Sequence, residues 1–230
     1  MLHFEVLSED RSGGVVIRSL LDKIILNNIS KISETDFTIK IRPHRGKGKI
    51  PGDVNAKPPE LSGGLLDLLP AKLRAYENIY AGSPFAVFMV MDSDSDDPEL
   101  IRNTLTSFGQ QFAPSLPHVA GVSTEEIEAW ILGDEEAILR AYPQANISII
   151  QRYKQDSVCG TWEVLARAVL GEKALGLIRV GYPAVGQYKA EWANHIAPFL
   201  CPEKNKSPSF IRFYQDVVTC AETMKNMVCE

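Results

Sequence analysis

The sequence predicts an α/β fold: a mostly parallel four-stranded sheet between helices over residues 1–142, with a helical C-terminal extension over 143–230. Three observations lead there. Four short runs carry strand patterns and are separated by stretches with helical periodicity, the alternation that builds a parallel sheet. The run Pro84–Glu99, PFAVFMVMDSDSDDPE, is apolar from Phe85 through Met91 and then abruptly acidic, as expected of a strand buried on both faces and ending at a polar edge. Beyond residue 142 the remaining patterns are helical. No linker or internal repeat divides the chain, so core and extension are expected to form one compact unit.

In order, LHFEVL (2–7) reads as the first strand and ends in SEDRSGG. A helix follows from about Gly14 to Asn28, with Ile17, Leu20, Leu21, Ile24 and Ile25 on one face and Ser12 as candidate N-cap. DFTIKI (36–41) alternates as a second strand, and a Pro- and Gly-rich loop over 51–64 leads to a helix near Leu65–Tyr80. After the acidic strand, a helix over about 99–112 precedes HVAGVS (118–123), the fourth strand. One helix is predicted over 124–142, then others over about 161–174, 188–200 and 208–227. Trp130 reads as core packing, as do Phe210 and Phe213, one helical turn apart.

Composition narrows the class. The chain is 45% hydrophobic and 23% charged, ordinary for a soluble globular protein. A net charge of −5 argues against a surface that coats nucleic acid generally, so contact with a polyanion needs a local basic patch or a bridging metal. The four cysteines form no C-x-x-C pair, which disfavours structural zinc and suits a reducing compartment. The N-terminus lacks the basic flank and apolar core of a signal peptide, and no run is long enough for a membrane span. A cytoplasmic location is therefore expected.

The chemistry gathers at strand ends. Ligands of open parallel sheets bind outside the carboxyl ends of the strands, where Asp92 and Asp94 fall. Two residues apart on an extended chain, they would point to the same side. Glu9 ends the first strand at the same edge. Three carboxylates from two strands would cradle a hard cation, Mg2+ or Mn2+, with one left free for proton transfer, the combination that phosphodiester hydrolysis needs. The plainer reading of Glu9 is an exposed turn residue near a helix start, and Asp96 and Asp97 read as solvating the loop and capping the next helix.

Glu126 has two readings: a capping-box partner of Ser123, or a metal-binding or water-positioning residue. Glu128, two residues along a helix, would point elsewhere, one of the pair facing the site and the other solvent. The loop residues Arg42, His44, Arg45, Lys47 and Lys49 would either grip a phosphate backbone or form a solvated mobile loop. Lys189, in GQYKAEW, could supply a further cation to phosphate, although lysine is nearly always exposed.

The stretch FEVLSEDRSGG, followed downstream by VFMVMDSDS, resembles the Toprim domain of topoisomerases, primases, OLD-type nucleases and small RNA-maturation nucleases. The chain is more closely similar to a Toprim-related bacterial family often encoded beside OLD-like ATPases and suspected in defence against phage. The matching features are the EDRSG turn, DSD, EIEAW at 126–130 with Asp134 beyond it, and SPSFIRF at 207–213. The resemblance implies a Toprim-like fold, Glu9 as general acid/base, Asp92 and Asp94 as Mg2+ ligands, a DNA or RNA substrate, and an ATPase partner. One departure is Glu9-Asp10 in place of the usual Glu-Gly, which adds a carboxylate beside the site.

Two rivals use the same residues. Nucleotide-sugar transferases also carry Asp-x-Asp after an apolar strand, but would not need Glu9 near the metal. A non-catalytic or toxin-like effector would use the carboxylates for structure and dock on the ATPase. A haloacid-dehalogenase-like phosphatase places its Asp-x-Asp on the first strand, which this chain does not.

Overall fold

The computed structural model describes residues 1–229. The chain runs β1 (Leu2–Ser8), α1 (Arg11–Asn28), β2 (Phe37–Pro43), α2 (Leu65–Tyr80), β3 (Phe85–Asp92), α3 (Pro98–Phe112) and β4 (His118–Ser123). It continues through α4 (Glu128–Leu132), α5 (Glu135–Ala141), α6 (Ile147–Arg152), α7 (Thr161–Leu170), α8 (Lys173–Val180), α9 (Ala184–Ile196) and α10 (Pro208–Cys229). The four strands form one all-parallel sheet in the order β2-β1-β3-β4.

That order sets the layers. The chain leaves β1 toward β2, then crosses back over β1 to reach β3. Crossovers of one hand therefore put α1 on one face and α2 and α3 on the other. Alternate residues of β3 feed the two cores: Ala86, Phe88 and Val90 on the α1 side, Phe85, Val87, Met89 and Met91 on the side of α2 and α3. The direction of winding reverses between β1 and β3, so the crevice at their carboxyl ends is the topological switch point.

The C-terminal helices pack onto the α1 face and complete its core. Trp130, fully buried, stacks on Phe213 with ring centroids 5.0 Å apart and meets Phe210 edge-on at 5.5 Å. Its indole N–H donates to Ser209 Oγ at 2.9 Å, so the ring is buried without orphaning its polar atom. Each such ring contributes about 2–3 kcal/mol by burial alone. Lys23 of α1 ties the far end of α9 down by donating to the carbonyls of Ala197, Pro198 and Leu200.

Several boundaries differ from expectation. Helix α1 begins at Arg11, and its cap is Asp10, whose carboxylate accepts from Gly13 N at 2.7 Å and Ser12 Oγ at 2.6 Å. A carboxylate accepts both bonds at once, so Ser12 supports the cap instead of being it. Asp97 caps α3 as expected. The helix predicted over 124–142 is two short ones, broken at Gly133-Asp134. Asn205 fills the break: a Cβ on Gly133 would lie 2.0 Å from Asn205 Oδ1, while Asn205 Nδ2 donates to Trp130 O. Asp134 then starts α5 by accepting from Ala137 N at 3.0 Å. The segment 161–174 divides at Gly171, whose φ of 58 ends α7. Helix α9 starts four residues earlier than predicted and passes at Ala197 into a 3-10 turn. Among the described residues, no helix is long and apolar enough to cross a membrane.

Candidate carboxylate site at the strand ends

The site is built where β1, β3 and β4 stop. In register, Ser8 lies opposite Val90, and Asp92 opposite Ser123, so the residues that follow share one edge. Glu9 leaves β1 and turns inward, and its Oε2 accepts the backbone N–H of Asp92 at 3.2 Å. Asp92 in turn accepts from Ser123 Oγ at 2.6 Å. The N-terminal glutamate and the first central aspartate therefore meet, as the strand order requires.

Asp94 does not join them through an extended chain. The backbone turns at Asp94, whose φ of 50 lies in the left-handed region, so two-residue alternation stops applying. Its N–H donates to Glu125 O at 2.8 Å, and its carboxylate faces solvent beside Lys47, 3.3 Å from Nζ. Lys47 also reaches Asp96 at 2.6 Å, so Asp96 serves an ion pair and Asp97 alone caps the helix. Asp94 remains close enough to Glu9 to raise its pKa.

The other side of the site comes from α4 and α9. Lys189, expected at the surface, is 7% exposed. Its ammonium lies 3.2 Å from Glu126 Oε1 and 3.0 Å from Glu128 Oε2. Both glutamates thus face the interior. The two do not diverge as residues i and i+2 of one helix would, because α4 begins only at Glu128 and leaves Glu126 in the preceding turn. No capping box forms either: Ser123 Oγ is engaged by Asp92, and Glu126 Oε2 accepts from Trp162 N at 3.3 Å. Glu125, unremarked in the sequence, caps α7 by accepting from Gly160 N, Cys159 N, Thr161 N and Thr161 Oγ1.

Enclosure sets the electrostatics. Burial pushes Glu9 up to about 7, with Asp94 and Asp10 adding to the rise and the Asp92 N–H opposing it. Burial also holds Asp92 well above the usual carboxylate range, reinforced by the charges of Glu9 and Glu128. Glu128 is raised by burial and Glu126, against the pull of Lys189. Burial disfavours the Lys189 charge, yet Glu128, Glu126 and Asp92 together keep its pKa above the ordinary value. One ammonium thus sits between two carboxylates and within reach of the charge of a third, Asp92.

Asp10, expected to stand beside the site as an extra carboxylate, is spent on the cap of α1 and acts on Glu9 only through its charge. The basic loop is an ordered wall. Gly46 N donates to Glu9 O at 3.1 Å, His44 N to Ser8 O at 3.0 Å, and Leu65 N and Leu66 N to the carbonyls of Gly46 and Lys47. Gly64 permits this docking, since a Cβ there would lie 2.4 Å from Gly48 Cα. Of the five loop residues, Arg42 is committed to Glu5, 2.7 Å from its Nε, and Lys47 to the acidic turn. His44 Nδ1 donates to Ser8 O at 2.8 Å. The side chains of Arg45 and Lys49 make no ion pair among the described residues.

The donors at the strand ends are all carboxylate oxygens, the chemistry of a hard divalent cation. Among the described residues, no group of three or more His, Cys, Asp and Glu is arranged to hold a metal ion. The carboxylates brought together at this edge are Glu9 and Asp92, fewer than such a group requires. One further acceptor faces inward: Glu128 Oε2 is ion-paired with Lys189 but accepts no aligned hydrogen bond.

Ser123, read from the sequence only as a helix cap, holds Asp92 instead. Glu128, one of a pair of which a single member was expected to face the site, faces inward together with Glu126. No family model, curated protein or solved structure matches this chain.

Proposed function

We propose that this chain is a Toprim-like, divalent-metal-dependent phosphodiesterase acting on nucleic acid. The observation that carries the reading is the meeting of Glu9 and Asp92 at the switch point, both with carboxyl groups raised by burial. Glu9 and Asp92 would hold Mg2+ or Mn2+, which when bound supplies charge neutralisation at the phosphate and a more acidic water.

The chain's own residues supply the rest. Without a cation, Glu9, with a pKa of about 7, can take or give a proton near neutral pH. A cation on its carboxylate would lower that value, so Glu9 would serve as general acid/base only with the cation resting mainly on Asp92. Ser123 orients Asp92 by donating to its Oδ1. Lys189 holds Glu126 and Glu128 in place and keeps the inner wall from accumulating unpaired negative charge. Lys47 stands at the mouth, where it offsets Asp94 and Asp96 against an approaching polyanion.

The Glu9–Asp92 contact favours this reading over a nucleotide-sugar transferase, which has no use for Glu9 beside the metal. The resemblance to the phage-defence family extends the proposal to a partner ATPase.

The test is cleavage of DNA and RNA by the purified protein with Mg2+ or Mn2+. Metal-dependent cleavage that falls by about 100-fold or more in both Asp92→Ala and Glu9→Gln is expected. Absence of cleavage with either metal, or cleavage that persists in Asp92→Ala, overturns the proposal. Partner binding that survives Asp92→Ala, without cleavage, would identify a docking subunit instead.

A further inference from the structure

Beside the carboxylate site, on the face of the sheet covered by α2, lies a cleft of about 590 Å3 between the end of β2 and the first turns of α2. Its lining includes Arg42, His44, Arg45, Gly63 and Lys72, with Glu60 the one carboxylate. Lys72, unremarked in the sequence, is half-buried and has no carboxylate within ion-pair distance among the described residues. Its pKa is lowered first by burial and then by the neighbouring Arg42 charge, with Glu5 offsetting only part.

Arg42 is anchored by one edge: its Nε bonds Glu5 Oε1. Glu5 is held in turn by the Tyr76 hydroxyl at 3.0 Å. The arginine is therefore pre-positioned by a buried acid. His44 donates from Nδ1 to Ser8 O and is held towards its neutral form by burial, so its buried Nε2 is an acceptor and adds no donor to the cleft. Arg45 is fixed through its backbone, N donating to Gly63 O at 2.8 Å, while its guanidinium is unpaired among the described residues. Positive charge is thus concentrated on ordered backbone with less carboxylate than it needs. Of these cations only Lys72 is partly desolvated, while Arg42 and Arg45 face solvent, so an anion entering the cleft would meet three donors and most relieve Lys72.

We propose that this cleft binds a phosphate of a polynucleotide strand, held by Arg45 and Lys72 beside the anchored Arg42. The proposal rests on the nucleic-acid reading above and adds where the strand lies. His44 and Gly46 donate from their backbones to Ser8 and Glu9, so the cleft adjoins the turn that carries Glu9. A strand phosphate here would lie to the β2 side of the phosphate at the carboxylates. Two anchoring points would fix the strand's direction across the site.

The experiment measures binding of a short single-stranded oligonucleotide, and separately of inorganic phosphate, in chelator so that nothing is cut. Wild type is compared with Lys72→Gln and Lys72→Gln/Arg45→Gln, each checked for an unchanged melting temperature. The double variant is expected to bind the oligonucleotide about 10-fold or more weakly, with a shallower salt dependence, the mark of lost phosphate contacts. Equal affinity in wild type and double variant overturns the proposal, as does failure of wild type to bind the oligonucleotide. Inorganic phosphate binding that falls in the variant while oligonucleotide binding does not would make the cleft a small-anion site and overturn the strand assignment. Loss of oligonucleotide binding in the variant, with no cleavage by wild type under either metal, would uphold the cleft and sink the hydrolytic reading alone.

Discussion

The backbone N–H of Asp92 donates to Glu9 Oε2 across 3.2 Å, joining residues 83 positions apart at the ends of adjacent strands. This bond makes one electrostatic unit of two acids that each leave their own strand. The charge of Glu9 raises the cost of ionising Asp92 and Glu128 adds to it, while the Asp92 N–H partly offsets the burial of Glu9.

Stability should therefore fall as pH rises. The folded pKa of Glu9, about 7, lies above its ordinary 4.5, so the folded chain keeps a proton that the unfolded chain releases. The penalty is absent below about pH 4.5, grows through 4.5–7 and is complete above, reaching up to about 3 kcal/mol. Asp92 acts in the same direction. Thermal melts in chelator should show a melting temperature that drops between pH 5 and 8 in wild type and drops less in Glu9→Gln. Added Mg2+ should recover most of the loss at pH 8.

Lys189→Met should be among the most destabilising single changes in the chain. It removes the one cation between Glu126 and Glu128, leaving an uncompensated buried carboxylate at a cost of about 3–5 kcal/mol. The raised pKa of Lys189 keeps its charge present throughout the neutral range. The Glu128 carboxyl, raised further once Lys189 is gone, can take up a proton, so the loss should grow as pH rises past neutrality. Urea unfolding of Lys189→Met/Glu128→Gln should return part of the stability, since no buried charge at position 128 then lacks a partner.

Glu125→Ala should cost about 2 kcal/mol by undoing the cap of α7. Against the upward push of burial, the N–H groups of Gly160, Cys159 and Thr161 hold the Glu125 pKa below its ordinary value. Its contribution is present above pH 4.5 and disappears as pH falls below, opposite in sign to that of Glu9. Hydrogen exchange at the first turn of α7 should speed up in the variant at pH 7 and differ less from wild type near pH 3.

Lys47→Ala should change stability by less than about 1 kcal/mol, because its partners Asp94 and Asp96 are exposed. Two lysines, each between two acids, are thus predicted to differ several-fold in worth. Unfolding curves of the two variants in the same buffer make the comparison directly.

How much was legible follows from the range of each interaction. The strands and Glu9 and Asp92 at one edge were readable because periodicity is local and parallel strands share a direction. The Asp94 direction was misread because extended geometry was carried two residues past the strand, into a left-handed turn. The helix over 124–142 was misread because its break answers to Asn205, more than 70 residues away. The role of Arg42 depended on Glu5, a buried acid in mid-strand that pattern reading passes over.

By itself the sequence determined an α/β chain, an acidic edge and a nearby basic segment, since those depend on residue type and short-range spacing. Only the tertiary structure decided which charges are already neutralised. Lys189 meets Glu126 and Glu128 across 61 to 63 positions, Arg42 meets Glu5, and Lys72 has no acid within ion-pair distance among the described residues. Charge pairing depends on distance in space and on exclusion of water, and neither quantity is written in the order of residues.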